Sequence, residues 1–181
     1  HRDLHSFPTR RSSDLPDRQY IAHIEYNSII GLKSRLATLI TSRGCPYHCT
    51  FCDVPYKKYR PRSVNLIMDE IEQCLAMGYE EFLFYDDLFN ITPARILEFC
   101  DALEQRGLSI AWDFRGRVNG VTFESLQRAK SLGLRMVSFG VETGSDEGLR
   151  MLGKGCSIAQ IKQAFQWCRS LGIMKIGRAH V

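Results

Sequence analysis

Three cysteines, Cys45, Cys49 and Cys52, stand within eight residues of one another in the run Thr41-Ser-Arg-Gly-Cys45-Pro-Tyr-His-Cys49-Thr-Phe-Cys52. Their C-x₃-C-x₂-C spacing lets three thiolates on one short loop converge on one cofactor, and thiolates of this kind hold iron–sulfur clusters. A cubane has four irons, so three protein ligands leave one iron open to a small molecule. A structural zinc site needs a fourth ligand in a tetrahedral set, which here means His48 or a distant cysteine. An electron-transfer cluster wants four cysteines, and no fourth lies nearby. The chain has seven cysteines, an odd number that fits a disulfide framework poorly. Cys74, Cys100 and Cys168 fall on apolar helix stripes and read as small core residues. Cys156 sits in a loop and receives no role.

Other residues suited to chemistry gather where β-like runs end. Asp86 and Asp87 follow an apolar run in Phe84-Tyr-Asp-Asp-Leu-Phe89, as binding acids or as the start of a loop. Arg117 follows the third run, where an exposed arginine is ordinarily solvated. In Met136-Val-Ser-Phe-Gly-Val-Glu142, period-two alternation puts Val137, Phe139 and Val141 on one face and Ser138, Gly140 and Glu142 on the other. The apolar face should meet helices, leaving a small, polar face with a carboxylate at its rim. Lys154, in Leu-Gly-Lys-Gly, reads from the residues alone as a surface lysine.

These residues must be positioned by what lies between them. Strand-like runs at 36–41, 81–85, 108–114 and 134–141, with a fifth beginning at Ile173, alternate with amphipathic helices. Ser63, Thr92 with Pro93, Thr122 and the capping box Ser157-Ile-Ala-Gln160 mark four helix starts. A short helical turn is expected over 146–152. One crossover helix per strand means right-handed βαβ units and a parallel sheet. No nucleotide-type glycine-rich loop follows the first strand, so a barrel or part-barrel fits better than a doubly wound sheet.

The chain has 181 residues, 44% apolar and 24% charged, enough for one domain with its own core. No apolar run approaches the roughly 18 residues a membrane span needs, and no signal peptide opens the chain, so a cytoplasmic address is expected. The net charge of +4 is scattered and gives no case for nucleic acid. Residues 1–15 (HRDLHSFPTRRSSDL) resemble a translated sequencing adapter, and residues 176–181 (IGRAHV) resemble the opposite adapter. Both are read as non-native tails, flanking a linker at 16–35 and an incomplete core at 36–175. The tails carry half of the positive excess.

CPYHCTFC after an apolar strand resembles the signature of the radical S-adenosylmethionine (SAM) superfamily. The resemblance implies an α/β fold, a parallel (β/α) partial TIM barrel, here truncated after four to five strands. It implies a [4Fe–4S] cluster on Cys45, Cys49 and Cys52, SAM on the open iron, and reductive cleavage to a 5′-deoxyadenosyl radical. Phe51 would then contact adenine through its backbone. Asp86 and Asp87 would stand where the family positions the SAM amino group, with FYDDLF in place of a glycine-rich segment. Arg117 would be a cofactor or substrate ligand. Ser138 and Glu142, in FGVETG, would face SAM, with Lys154 near its carboxylate. FxDDxF and CDVPYKKYRPRSV are similar to the branch of cobalamin-linked methyltransferases and anaerobic cyclases, whose cobalamin domain would precede residue 16. An electron donor such as flavodoxin or ferredoxin and a small-molecule substrate are implied. A tRNA methylthiotransferase and a non-catalytic zinc or iron–sulfur module are the alternatives; the first lacks a basic stripe for RNA, and the second has no need of acids and an arginine at matching strand ends. An open barrel leaves an exposed strand edge, so the 181-residue chain is expected to be poorly soluble and inactive.

Overall fold

Each apolar run is too short to bury itself, and each following helix carries one apolar stripe, so strand and helix cover one another in sequence. The computed structural model describes residues 15–21, 23–24, 31 and 35–179. The proposed tail at 1–15 lies outside these apart from Leu15, as do parts of the 16–35 linker and residues 180–181. The main strands are β1 (Leu36–Leu39), β4 (Glu81–Phe84), β5 (Ala111–Gly116), β6 (Leu134–Glu142) and β7 (Met174–Ala179). They form one parallel sheet in the order β1-β4-β5-β6-β7. Strand order that advances in one direction is barrel winding; a doubly wound sheet would reverse.

The crossovers are α1 (Val64–Ala76), α2 (Pro93–Gln105), α3 (Phe123–Ser131) and the pair α4 (Asp146–Met151) and α5 (Ile158–Ser170). Ser63 caps α1, Pro93 opens α2, and Ser157 with Gln160 forms the expected box on α5. Thr122 does more than expected, exchanging hydrogen bonds with Ser125 in a capping box. The helices pack on one face of the sheet against Phe82, Phe84, Trp112, Phe114, Val137 and Phe139. Phe84, Phe99 and Trp112 meet with centroids 4.9 to 5.6 Å apart, in edge-to-face and stacked geometries that aromatic quadrupoles favour. Cys74, Cys100 and Cys168 are fully buried in this core, as their stripe positions indicated, and burial pushes their thiols up to about 11, 12 and 11.

Four elements differ from the sequence reading. The third strand starts at Ala111 rather than 108, because Leu108 donates its N–H back to Leu103 to close the end of α2. The last strand runs beyond residue 175 to Ala179, pairing Ser138 with Ile176 and Phe139 with Gly177. Ladder hydrogen bonds come from the backbone, so an adapter-like side-chain sequence does not prevent them. Finally, β2 (Ser42–Arg43) and β3 (Arg60–Pro61) form a small antiparallel pair that closes the base of the cysteine loop.

Two buried ionic groups fasten this frame. On the face away from the helices, Arg135 reaches Glu81 at 2.5 Å and Asp113 at 3.4 Å, tying the starts of β4, β5 and β6. Glu70 of α1, 1% exposed, takes Arg18 at 2.8 Å and Arg62 at 2.5 Å. Arg18 also donates to the Thr38 carbonyl of β1, so this part of the 16–35 stretch is fixed to the sheet rather than acting as a free linker. Among the described residues no helix is long and apolar enough to cross a membrane.

A candidate cofactor site at the strand ends

The cysteine loop runs between β2 and β3 and is held on three sides. At its base, Gly44 adopts φ +80, and the next residue, Cys45, donates its N–H to the Tyr56 carbonyl at 3.0 Å. A side chain at position 44 would lie 2.3 Å from the Lys58 carbonyl oxygen, so only glycine fits there. From the loop that follows β4, Asp86 and Asp87 reach across. Asp86 accepts from Thr41 N at 2.6 Å, Thr41 Oγ1 at 2.5 Å and Ser42 Oγ at 2.6 Å, while Asp87 accepts from Gly44 N at 2.8 Å. On the far side, Thr50 N donates to the Leu152 carbonyl, and Gly153 lets its backbone approach His48.

Both predicted acids are thus engaged by the loop, and Asp86, 4% exposed, has its oxygens saturated by it. Burial pushes the Asp86 carboxyl above its ordinary value, while the hydroxyls and the amides of Thr41 and Ser42 pull it back. Asp86→Ala is therefore expected to cost about 2–4 kcal/mol, because it leaves buried donors of Thr41 and Ser42 without an acceptor. Asp86→Asn, which can still accept from Thr41 N and donate to a hydroxyl, should recover much of that loss. Urea unfolding of the two variants checks the difference.

Arg117, at the end of β5, meets the loop directly. It is 7% exposed, its guanidinium carbon lies 3.8 Å from the Tyr47 ring centroid, and Nη1 stands 3.4 Å from Cys49 Sγ. Its Nη2 is buried with no hydrogen-bond partner among the described residues. The peptide at Arg117 is bracketed by Asn90, which accepts from its N–H at 2.9 Å and donates to its carbonyl at 2.7 Å.

Glu142, at the end of β6, is the one non-glycine residue with positive φ (68) among those described, and Thr143 N–H closes the tight turn onto Val141 O. Strain of this kind persists only where surroundings hold it, and it concentrates at functional sites. Lys154 pairs with Glu142 at 3.3 Å, and both are largely buried. Gly140 makes room for the pair, since a Cβ there would lie 2.7 Å from Glu142 Oε1. Lys154 Nζ also stands 5.7 Å from the ring centroid of Phe51, which is half exposed. Ser138 lies on the same strand face, further from the rim, and is half-buried.

The structure thus brings Cys49, Arg117 and the Glu142–Lys154–Phe51 group to one end of the sheet, where parallel folds of this kind carry their chemistry. Sequence reasoning missed Tyr47, Asn90 and Cys156. Cys156 follows Gly155 beside Arg117; burial raises its thiol, Arg117 and Lys154 lower it, and Cys49 raises it again. The nearness of Cys156 to Lys154 in Gly-Lys-Gly-Cys was the available signal.

The donor set suits an iron–sulfur cluster. Cys45, Cys49 and Cys52 are half-buried, free of disulfides and on one loop. Burial raises the Cys45 thiol, a backbone hydrogen bond from Tyr47 and then Arg117 pull it down, and Cys52 and Cys49 push it up. Among the described residues no three His, Cys, Asp or Glu side chains are gathered tightly enough for a single metal ion; a cubane takes each thiolate on a different iron. The cation beside the thiols and its spare buried N–H favour an anionic occupant.

A parallel part-barrel with a three-thiolate loop at its strand ends defines a cofactor-dependent enzyme of the iron–sulfur type. The chain belongs to the radical SAM superfamily, whose family model matches residues 39–179. Members of that family use a [4Fe–4S] cluster and SAM. The chain is 31% identical to an uncharacterised methyltransferase of Pyrococcus horikoshii, over 77% of its own length and 31% of the relative's. It is 31% identical to the anaerobic magnesium-protoporphyrin IX monomethyl ester cyclase of Rubrivivax gelatinosus, over 80% of the chain and 27% of the cyclase. The cobalamin-dependent SAM radical enzyme OxsB, solved with aqua-cobalamin and SAM bound, superimposes with a TM-score of 0.72 at 27% identity, covering 78% of this chain and 23% of that one. The chain therefore spans about a third or less of the relatives it matches.

Proposed function

We propose that the chain is the cluster- and SAM-binding core of a cobalamin-linked radical SAM enzyme, a methyltransferase or a cyclase, acting on a small molecule with electrons from a flavodoxin- or ferredoxin-type donor. The observation that carries this reading is the meeting of the cysteine loop with Arg117, whose Nη1 stands 3.4 Å from Cys49 Sγ. The likeness to methyltransferases and to a cyclase supports the branch; the substrate, the reaction and a preceding cobalamin domain are part of the proposal. So are the boundaries of the core at 36–175 and the non-native origin of the flanking tails.

In this reading Cys45, Cys49 and Cys52 hold the cluster, and Phe51, Arg117, Ser138, Glu142 and Lys154 face SAM. When bound, the cluster and SAM together supply one-electron radical chemistry. The chain's own residues bind and orient. Arg117 offers positive charge and a spare donor. The Glu142–Lys154 pair presents a carboxylate and an ammonium held in one geometry, suited to a ligand carrying both hydroxyl or amino groups and a carboxylate. Asp86 and Asp87 act one step removed, by fixing the loop that carries the thiols.

The chain, fused to a soluble carrier and reconstituted without oxygen with ferrous iron and sulfide, should show cluster absorbance and, after reduction, an electron paramagnetic resonance signal that changes when SAM is added. Cys49→Ala should lose the four-iron signal. A spectrum indifferent to SAM would favour a non-catalytic iron–sulfur module.

A further inference from the structure

Arg117 is gripped more firmly than ligand binding alone requires. Asn90, 1% exposed, fixes its peptide on both sides. Its Nε donates to Asn119 Oδ1 at 3.3 Å, and the Tyr47 ring lies beneath the guanidinium carbon at 3.8 Å. What these contacts aim is Nη1, directed at Cys49 Sγ at 3.4 Å. Arg115, two positions earlier, is exposed and stacks over Tyr85 at 4.0 Å instead.

We infer that Arg117 sets the reduction potential of the cluster, through a hydrogen bond to the sulfur of Cys49 and a fixed positive charge beside it. This rests on the proposal that the loop holds a four-iron cluster. Reduction adds one electron to the cluster and its thiolates, and no protein bond forms or breaks. A donor and a cation next to a ligand sulfur stabilise the more negative, reduced form, and hydrogen bonds to sulfur are among the levers that tune such potentials. Arginine presents this charge as a planar, delocalised fork of donors. Burial strengthens the effect, because the pair interacts through less water. The stacked Tyr47 ring adds cation–π attraction and keeps the guanidinium from swinging to solvent. The residue acts through Cys49, so its role is positioning and tuning.

The test is a potentiometric titration of the reconstituted chain, without SAM, followed by electron paramagnetic resonance. At a fixed solution potential, Arg117→Gln should hold at least a tenfold lower ratio of reduced to oxidised cluster, equivalent to a midpoint about 59 mV more negative for one electron. Arg117→Lys, which keeps the charge and loses the fork, should fall between the two. Arg115→Gln should titrate with the parent. A fully loaded Arg117→Gln with the parent's midpoint would overturn the inference while leaving the proposed function standing; a parent chain that takes up no cluster would sink both. Loss of the cluster from Arg117→Gln but not from Arg117→Lys supports the need for the cation. Loss from both would assign Arg117 to the scaffold and overturn the tuning role.

Discussion

Gly44→Ala is expected to abolish cluster uptake while leaving the helices and the five-stranded sheet formed. Gly44 sits at φ +80, where a side chain costs about 1–2 kcal/mol by itself. The larger cost is steric. The new Cβ would meet the carbonyl oxygens of Lys58 at 2.3 Å and Tyr56 at 2.9 Å, and both belong to backbone that cannot rotate aside. Relief requires opening the loop, which breaks the bond from Cys45 N to Tyr56 O and the bond from Gly44 N to Asp87. Cys45 then has no fixed place relative to Cys49 and Cys52. None of these contacts belongs to the main sheet, so circular dichroism should stay near the parent's. Iron and sulfide bound per chain should fall to background. Retention of a full cluster by Gly44→Ala would show that the loop tolerates rebuilding and that its observed shape is not required.

Arg135→Met should destabilise the chain by roughly 3–5 kcal/mol, the usual effect of stripping one partner from a buried ion group. Arg135 lies between Glu81, 0% exposed, and Asp113, 6% exposed, and without it two carboxylates share an apolar site. Burial already pushes Asp113 up to about 7, with Arg135 pulling against it and Glu81 pushing with burial. The nearer partner of Arg135 is Glu81, which leaves Asp113 the less compensated acid. A carboxyl whose folded value exceeds its unfolded one binds more protons folded than unfolded between the two values. Asp113 therefore contributes most to stability below about 4, and its contribution declines as pH rises to about 7. Removing Arg135 raises that upper bound, so the deficit of Arg135→Met should be larger at pH 8 than at pH 5. Adding Asp113→Asn should restore a good part of the loss at pH 8 and little at pH 5. Urea midpoints at the two pH values decide it; a pH-independent deficit would mean that lost packing, not charge, dominates.

The features that read correctly from sequence share one property, in that each is encoded within a few neighbouring residues. The Ser63 and Thr122 caps, the Ser157–Gln160 box and the alternation through Ser138, Gly140 and Glu142 are all local patterns. The parallel order followed from the alternation of strand and helix, and the choice of part-barrel from a missing loop motif. What was not legible depends on partners distant in the chain. Asp86 reads as a ligand from its place at a strand end, and only the fold shows its oxygens taken by Thr41 and Ser42. Asn90 looks like an ordinary loop residue until Arg117 is laid beside it. The two-residue strands β2 and β3 are too short to carry any period. The pairing of Glu142 with Lys154 is hidden because the two residues lie in separate motifs, and only the turn at Glu142 folds its carboxylate onto the ammonium.

The clamps on the cysteine loop also fix an order of assembly. Thr41 waits for Asp86, 45 positions later; Cys49 waits for Arg117, 68 positions later; and Thr50 waits for Leu152. Long-range closures of this kind come late in folding, because the chain between must first be ordered. A growing chain exposes all three thiols before Arg117 and Leu152 have been made. For that interval the thiols' own softness, and not the fold, sets which metals the segment prefers. Fidelity of loading then depends on timing: the correct inorganic guest has to arrive after the last of these distant partners has docked, or displace whatever came first.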